Sequence, residues 1–296
     1  WLPSFRGWGN VIHFSGGVLF SNTIRELNNS LPDVALGKLS GPHGVGIMSR
    51  ANSTSNLFNM IAGPTVGYAV LPVLSQKHHA GEPIAEPMSK AIAYLTGLAW
   101  PAVLGTAIFA EPIILFLYGE QWIESAPLVR IICAIAFINT PFTFTILALQ
   151  AIGRPYLAAI PGAFQLVFSA GAILMLFDQT LASFAYAMLA ANLATVPIYL
   201  WLQNRYLSFP IKLFLAAQRQ SIALTISIAV LLVIISKLLV SLSAWLHVLI
   251  AFSIGILLWV VLVASLSHPL FYELKLLTKK FPLLQHFIFQ RTNDSN

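Results

Sequence analysis

Cysteine and charge are what this sequence has least of. A single cysteine, Cys133, stands among 296 residues, which excludes an intrachain disulfide and a thiolate metal site. Within its apolar run the thiol reads as a small packing group. Charged residues make up 9% of the chain against roughly 25% in a soluble domain, too few to clothe a globular surface in water. Acids are scarcer than bases, leaving a formal net charge of +6. No basic cluster is interleaved with aromatics and no strand pattern of a nucleic-acid fold is present. The excess therefore reads as loops held against anionic lipid, and no nucleic-acid partner is expected. Disorder is excluded as well, because long apolar runs separate the prolines and glycines.

Those runs are what the sequence has in abundance. Apolar residues make up 57% of it, and the distance from one charge to the next measures each run. Arg50 to Lys77 encloses 26 uncharged residues, Lys90 to Glu111 encloses 20, and Asp178 to Arg205 encloses 26; about 20 largely apolar residues cross the hydrocarbon as a helix. With a more polar first segment, the pattern predicts an all-α polytopic membrane bundle of about eight spans. Their expected limits are 12–38, 45–73, 89–117, 126–152, 156–177, 180–202, 219–240 and 245–267. Ser40-Gly41-Pro42, Tyr118-Gly119 and Gly153-Arg154-Pro155 punctuate the helices. Trp100-Pro101 and Gly63-Pro64 are expected bends, and His78-His79 is expected in a loop.

Eleven of the sixteen basic residues fall on the side of the membrane that carries the N-terminus. That asymmetry predicts both termini in the cytoplasm and an even number of spans. After His268, apolar residues recur at helical spacing around Lys275, Lys279 and Lys280, the pattern of a surface-lying amphipathic tail over 268–296.

Candidate chemistry concentrates in the first helix. Asn22, Arg25, Glu26, Asn29 and Asp33 fall within a stripe roughly 100° wide at about 100° per residue. A charge at the centre of a span costs about 2.5–3.5 kcal/mol on insertion scales. The stripe must then face other helices or a water-filled cavity. Two purposes stay open for it: an ion pair of Arg25 with Glu26 or Asp33 that holds the bundle, or a cavity wall that meets a cargo. In the second helix Asn52, Asn56 and Asn59 share a face, with Arg50 beside them near the outer end; interhelical hydrogen bonding and cavity lining both suit such amides. Gly17 and Ser21 form a small-residue pair suited to helix packing. No nucleophile triad, phosphate loop, catalytic group or metal ligand set is legible, and no cofactor is expected.

Four blocks carry a resemblance. They are the run from Leu36 to Ala51, Val70-Leu71-Pro72-Val73-Leu74-Ser75, Gly119-Glu120-Gln121-Trp122 with Ala126-Pro127 close behind, and Gln150-Ala151-Ile152-Gly153-Arg154-Pro155. In this order and spacing they resemble bacterial polysaccharide and O-antigen flippases of the multidrug/oligosaccharidyl-lipid/polysaccharide exporter superfamily. Met48 departs from the pattern, where the family usually carries an aromatic residue. The resemblance implies a longer protein of two six-helix lobes plus two extra helices. This chain would be its C-terminal portion: 1–11 an inter-lobe linker, 12–204 the second lobe, 205–267 the extra pair and 268–296 the tail. It implies transport rather than catalysis, with undecaprenyl-pyrophosphate-linked oligosaccharide flipped across the inner membrane of a bacterium. It further implies as partners that lipid-linked cargo, membrane lipids, the missing N-terminal lobe and other polysaccharide assembly proteins. Asn22, Arg25, Glu26, Asn29, Asp33, Arg50, Asn52, Asn56 and Asn59 would line the cargo cavity. A cation-coupled drug antiporter of the same superfamily, using Glu26 and Asp33, is the nearest alternative. A membrane-embedded polysaccharide polymerase or ligase is a more distant one, since the external loops are only a few residues long.

Overall fold

The computed structural model describes residues 8–57, 70–238, 243–266, 268–272 and 275. Among them every regular element is helical. The elements are α1 (Trp8–Leu39), α2 (Gly41–Ser55), α3 (70–79), α4 (Ala85–Ile108), α5 (Ala110–Tyr118), α6 (Ser125–Asn139), α7 (Thr143–Ala151), α8 (Pro155–Leu176), α9 (Leu181–Tyr206), α10 (Ile211–Leu238) and α11 (Ala244–Ser265).

Six helical segments among the described residues are long and apolar enough to cross a membrane: Ala85–Ile108, Ser125–Ala151, Pro155–Leu176, Leu181–Tyr206, Ile211–Leu238 and Ala244–Ser265. They correspond to the last six expected spans. Helix α1, at 32 residues, reaches about 48 Å at 1.5 Å per residue and is long enough, but Arg25, Glu26, Asp33 and Lys38 keep it below the apolarity of the others. The expected span 45–73 begins earlier, at Gly41. Residues 58–69 of it, with the Gly63-Pro64 bend and Asn59, lie outside the described residues, and 70–73 belong to α3. The membrane setting also shows on the outside of the bundle. On α8, Leu174 and Met175 are each 87% exposed, a surface suited to lipid and not to water.

Several boundaries differ from the expectation, each for a physical reason. Helix α10 starts at Ile211, not 219, because an exposed Lys212 and Arg219 do not interrupt a helix as they interrupt an apolar run. The imidazoles of His78 and His79 lie on the last turn of α3 rather than in a loop. Helix α4 runs uninterrupted through Pro101, and the break falls at Phe109 instead. Around Pro101 the neighbouring Trp100 is anchored: its indole N–H donates to Phe137 O at 2.9 Å and its ring stacks on Phe137. The expected span 126–152 is two helices, α6 and α7, joined by a 3₁₀ turn at Thr140–Phe142. Outside the spans, the Asp178 carboxylate accepts from the Thr180 N–H and hydroxyl at the start of α9. Hydrogen bonds from Ser183 and Thr180 hold its pKa down at about 2.

Packing places an opening inside the bundle. Contacts run from α1 to α2, α2 to α6, α6 to α9, α9 to α8 and α8 back to α1, so five helices close a ring. One apolar core, with Ile92, Phe142, Phe144, Leu149, Leu202 and Phe209, fills one end. A second, with Ile47, Ile114, Val129 and Phe184, fills the other. A third joins α10 and α11 to α4 through Leu224, Ile228, Leu232 and Val263. Close approach of α1 to α8 rests on glycine. A Cβ on Gly17 would stand 2.6 Å from Pro155 Cγ, and one on Gly162 would stand 2.7 Å from Ile24 Cγ2.

Candidate cargo cavity

Inside the ring of five helices lies a cavity of about 720 Å³. Helix α1 contributes Ser21, Asn22, Arg25, Asn28, Asn29 and Pro32 to its wall, and α2 contributes Met48, Asn52 and Asn56. The far side comes from α6 and the turn after it, with Asn139, Thr140 and Thr143, from α8, with Gly162, Gln165 and Ser169, and from α9, with Asn192 and Tyr199. Arg25 is the only charged side chain among the described residues that line it. The wall is otherwise amide, hydroxyl and aliphatic. Amides and hydroxyls both donate and accept hydrogen bonds without carrying charge.

Hydrogen bonds hold this polar surface in place. Asn28 Nδ2 donates to Ile24 O and across to Gly162 O, both at 2.9 Å, which ties α1 to α8. Asn139 Nδ2 donates to Asn192 Oδ1 at 2.7 Å, and Asn192 Nδ2 donates to Met188 O at 2.8 Å. The Thr195 hydroxyl lies 2.7 Å from Gln165 Oε1. Arg25 itself is mostly exposed, 3.6 Å from Glu26 through its Nε. Asn29 donates weakly to Glu26 at 3.5 Å. Arg25 thus has one loose carboxylate neighbour and reaches the cavity with most of its guanidinium donors uncommitted.

Of the residues singled out by sequence, Asn22, Arg25, Asn29, Asn52 and Asn56 come together on the wall. Glu26, Asp33 and Arg50 are not among the lining residues. The lining positions of α1 centre near Arg25 and Pro32, and at about 100° per residue Glu26 and Asp33 lie roughly 80–120° around the helix from those two. Both carboxylates are exposed. No contact pairs Arg25 with Asp33. The Arg50 guanidinium sits 5.1 Å from the Tyr118 ring centre and 5.0 Å from that of Trp122, stacked against the loop between α5 and α6. Asn59 lies outside the described residues.

Sequence reading missed Asn28, Asn139, Gln165 and Asn192. Asn28 falls off the stripe, on the face that packs against α8. Asn139-Thr140-Pro141 carried a signal, since a proline inside an apolar span after two polar residues marks a break. Gln165 and Asn192 are single polar residues in long apolar helices, a weaker cue.

The first 127 residues match a family described as polysaccharide biosynthesis protein. Over 220 residues, 73% of this chain, the sequence is 24% identical to the succinoglycan biosynthesis transport protein ExoT of Rhizobium meliloti (strain 1021). The aligned part is 44% of that relative, so the chain spans less than half the length of the curated protein it matches. No solved structure matches. Both likenesses support a polysaccharide flippase-type family, the one that the four sequence blocks resemble.

Proposed function

We propose that this chain, a multi-pass membrane protein of the polysaccharide flippase type, is the C-terminal part of a transporter for lipid-linked oligosaccharide. In this reading undecaprenyl-pyrophosphate-linked oligosaccharide crosses a bacterial inner membrane through the cavity, on its way to surface polysaccharide. Arg25 meets the pyrophosphate and the amides meet sugar hydroxyls. Residues 12–204 form the second lobe and 205–267 the additional helix pair. Residues 1–11 lead from an N-terminal lobe, and 268–296 form a cytoplasmic tail whose first residues, His268 and Leu270, are buried against the bundle. Both termini face the cytoplasm.

The observation that carries the reading is a lone cation, among the described residues, on an amide wall near the middle of α1. Arg25 falls near the middle of α1. An always-charged guanidinium at that depth is costly unless something compensates it, and its one carboxylate contact is loose and exposed. An anionic cargo group supplies the missing partner through charge-assisted, bidentate hydrogen bonds. The cation-coupled antiporter reading needs carboxylates in the passage, and Glu26 and Asp33 stand off the wall.

The test is Arg25→Ala and Arg25→Lys in the full-length protein, with membrane abundance and surface polysaccharide measured together. Arg25→Ala accumulates normally and lowers export about tenfold or more, the loss expected for one charged hydrogen-bonded contact. Arg25→Lys keeps part of the export. Normal export by well-accumulated Arg25→Ala overturns the assignment.

A further inference from the structure

We infer that the Asn139–Asn192 pair is a binding site for uncharged sugar, set across the ring from Arg25. This rests on the transport reading above and divides its cavity into two chemically distinct subsites.

The pair owes its place to a broken helix. Helix α6 stops at Asn139, a 3₁₀ turn covers Thr140–Phe142, and α7 restarts at Thr143. Pro141 has no N–H to continue the ladder, and the Thr140 hydroxyl bonds back to Ala136 O at 2.7 Å. The break falls at the middle of the span Ser125–Ala151. A mid-span interruption is tolerated in lipid only where protein or water satisfies the freed groups, and transporters place their binding sites at such interruptions.

Topology separates the pair from the cation. Helix α1 packs on α2 and α8, and these in turn pack on α6 and α9. Asn139 on α6 and Asn192 on α9 therefore face α1 and Arg25 from the opposite side of the ring.

The hydrogen bonds then settle which atoms are offered. Asn192 Nδ2 is anchored on the backbone carbonyl of Met188 at 2.8 Å. That contact fixes the orientation of the Asn192 amide, because its carbonyl oxygen has no reason to face another oxygen. Asn192 Oδ1 consequently accepts from Asn139 Nδ2 at 2.7 Å. Asn139 is left with its Oδ1 and a second N–H, and among the described residues neither has a protein partner. One carboxamide thus offers an acceptor and a donor side by side on the cavity wall. Adjacent hydroxyls on a sugar ring offer the matching donor and acceptor. Because the pair carries no charge and no described cation lines that side, it suits neutral sugars over acidic ones. Asn192 acts as the positioning residue that aims Asn139.

The test uses the full-length protein in nanodiscs with two probes: the soluble repeat-unit oligosaccharide released from the host's own surface polysaccharide, and inorganic pyrophosphate. Ligand-detected NMR follows both. Asn139→Ala is expected to weaken the oligosaccharide about three- to tenfold, the loss of one or two neutral hydrogen bonds, with pyrophosphate unchanged. Asn192→Ala, which frees Asn139 to rotate, weakens the oligosaccharide less. Arg25→Ala does the reverse, losing pyrophosphate and keeping the oligosaccharide. Undiminished oligosaccharide binding by folded Asn139→Ala, or equal weakening of both probes, overturns the inference while leaving the transport reading standing. Wild-type protein that binds neither probe, together with normal export by Arg25→Ala, overturns both. If Asn139→Ala fails to fold, Asn192→Ala decides alone, and an unchanged oligosaccharide affinity in it counts against the pair.

Discussion

Two hollows of comparable size sit in this bundle and share almost no chemistry. The ring of α1, α2, α6, α8 and α9 encloses about 720 Å³ lined with amides and one arginine. A second hollow of about 460 Å³ lies between α4, α5, α10 and α11. Its wall includes Leu98, Phe109, Phe116, Leu232, Phe252 and Trp259, and apart from the Trp259 indole N–H only Thr106 among the described lining residues carries a polar side-chain group. In a chain with so little charge, polar side chains are rationed, because each costs energy in lipid unless it pairs or meets water. Their concentration around one hollow and near-absence from the described wall of the other separate a polar cavity from a seam that lipid chains and packing can fill.

The two seams are built alike, which makes them comparable by experiment. Each depends on a glycine where a Cβ does not fit. On the polar side it is Gly162 against Ile24 at 2.7 Å; on the apolar side it is Gly97, where a Cβ would stand 2.5 Å from His268 Cε1. The carbonyl of Gly97 also accepts the Trp259 indole N–H at 2.8 Å.

Adding one methyl to each seam sharpens the comparison most. Gly162→Ala and Gly97→Ala should each cost about 1–3 kcal/mol through overpacking, read as a lower Tm in detergent. They should part in export. Gly162→Ala shifts Ile24 and Asn28, three or fewer residues from Arg25, and export per folded molecule falls about tenfold as cavity geometry is lost. Gly97→Ala leaves export per folded molecule within about twofold. Equal loss of export in both would mean that the apolar seam moves with the passage.

A smaller effect belongs to Ser221→Ala, which touches only the apolar side. Leu270 N–H donates to His268 Nδ1 at 3.3 Å, so His268 Nε2 carries the proton and donates to Ser221 Oγ at 3.0 Å. Thr96 Oγ1 lies 2.8 Å from the same hydroxyl. All three side chains are buried. Removing the hydroxyl orphans the imidazole N–H at a cost of about 1–3 kcal/mol, visible as a lower Tm with export per folded molecule unchanged. A variant as stable as the parent would show that water replaces the hydroxyl.

The smallest effect is expected at Arg50. Its guanidinium is spent on the rings of Tyr118 and Trp122. Arg50→Ala should cost about 1 kcal/mol, in line with exposed cation–π contacts, and leave export intact. A clear loss of export would return Arg50 to the cargo path, where sequence reading had set it.

Helical spacing was enough to find Asn22, Arg25 and Asn29 as one polar stripe, and charge-free intervals were enough to find the six apolar spans. Glu26 and Asp33 belonged to the same stripe by the same arithmetic, yet the structure turns them away from the cavity. Asn28, outside that stripe, is on the wall. The split of α6 from α7 was written in Asn139-Thr140-Pro141, but an apolar count of the whole run hid it.

By itself the sequence determined that the chain lives in lipid, roughly where its apolar spans lie, and that Asn22, Arg25 and Asn29 share one face of α1. Those are consequences of composition and period, and both are local. The tertiary structure alone decided which of those groups meet. A periodic pattern places side chains around a cylinder but leaves the rotation of that cylinder free. Here the rotation of α1 is set by Gly17 against Pro155 and by Ile24 and Asn28 against Gly162. The same close packing brings Arg25, Asn139 and Asn192 to one cavity from three helices more than 150 residues apart at the extremes, a meeting that no spacing along the chain records.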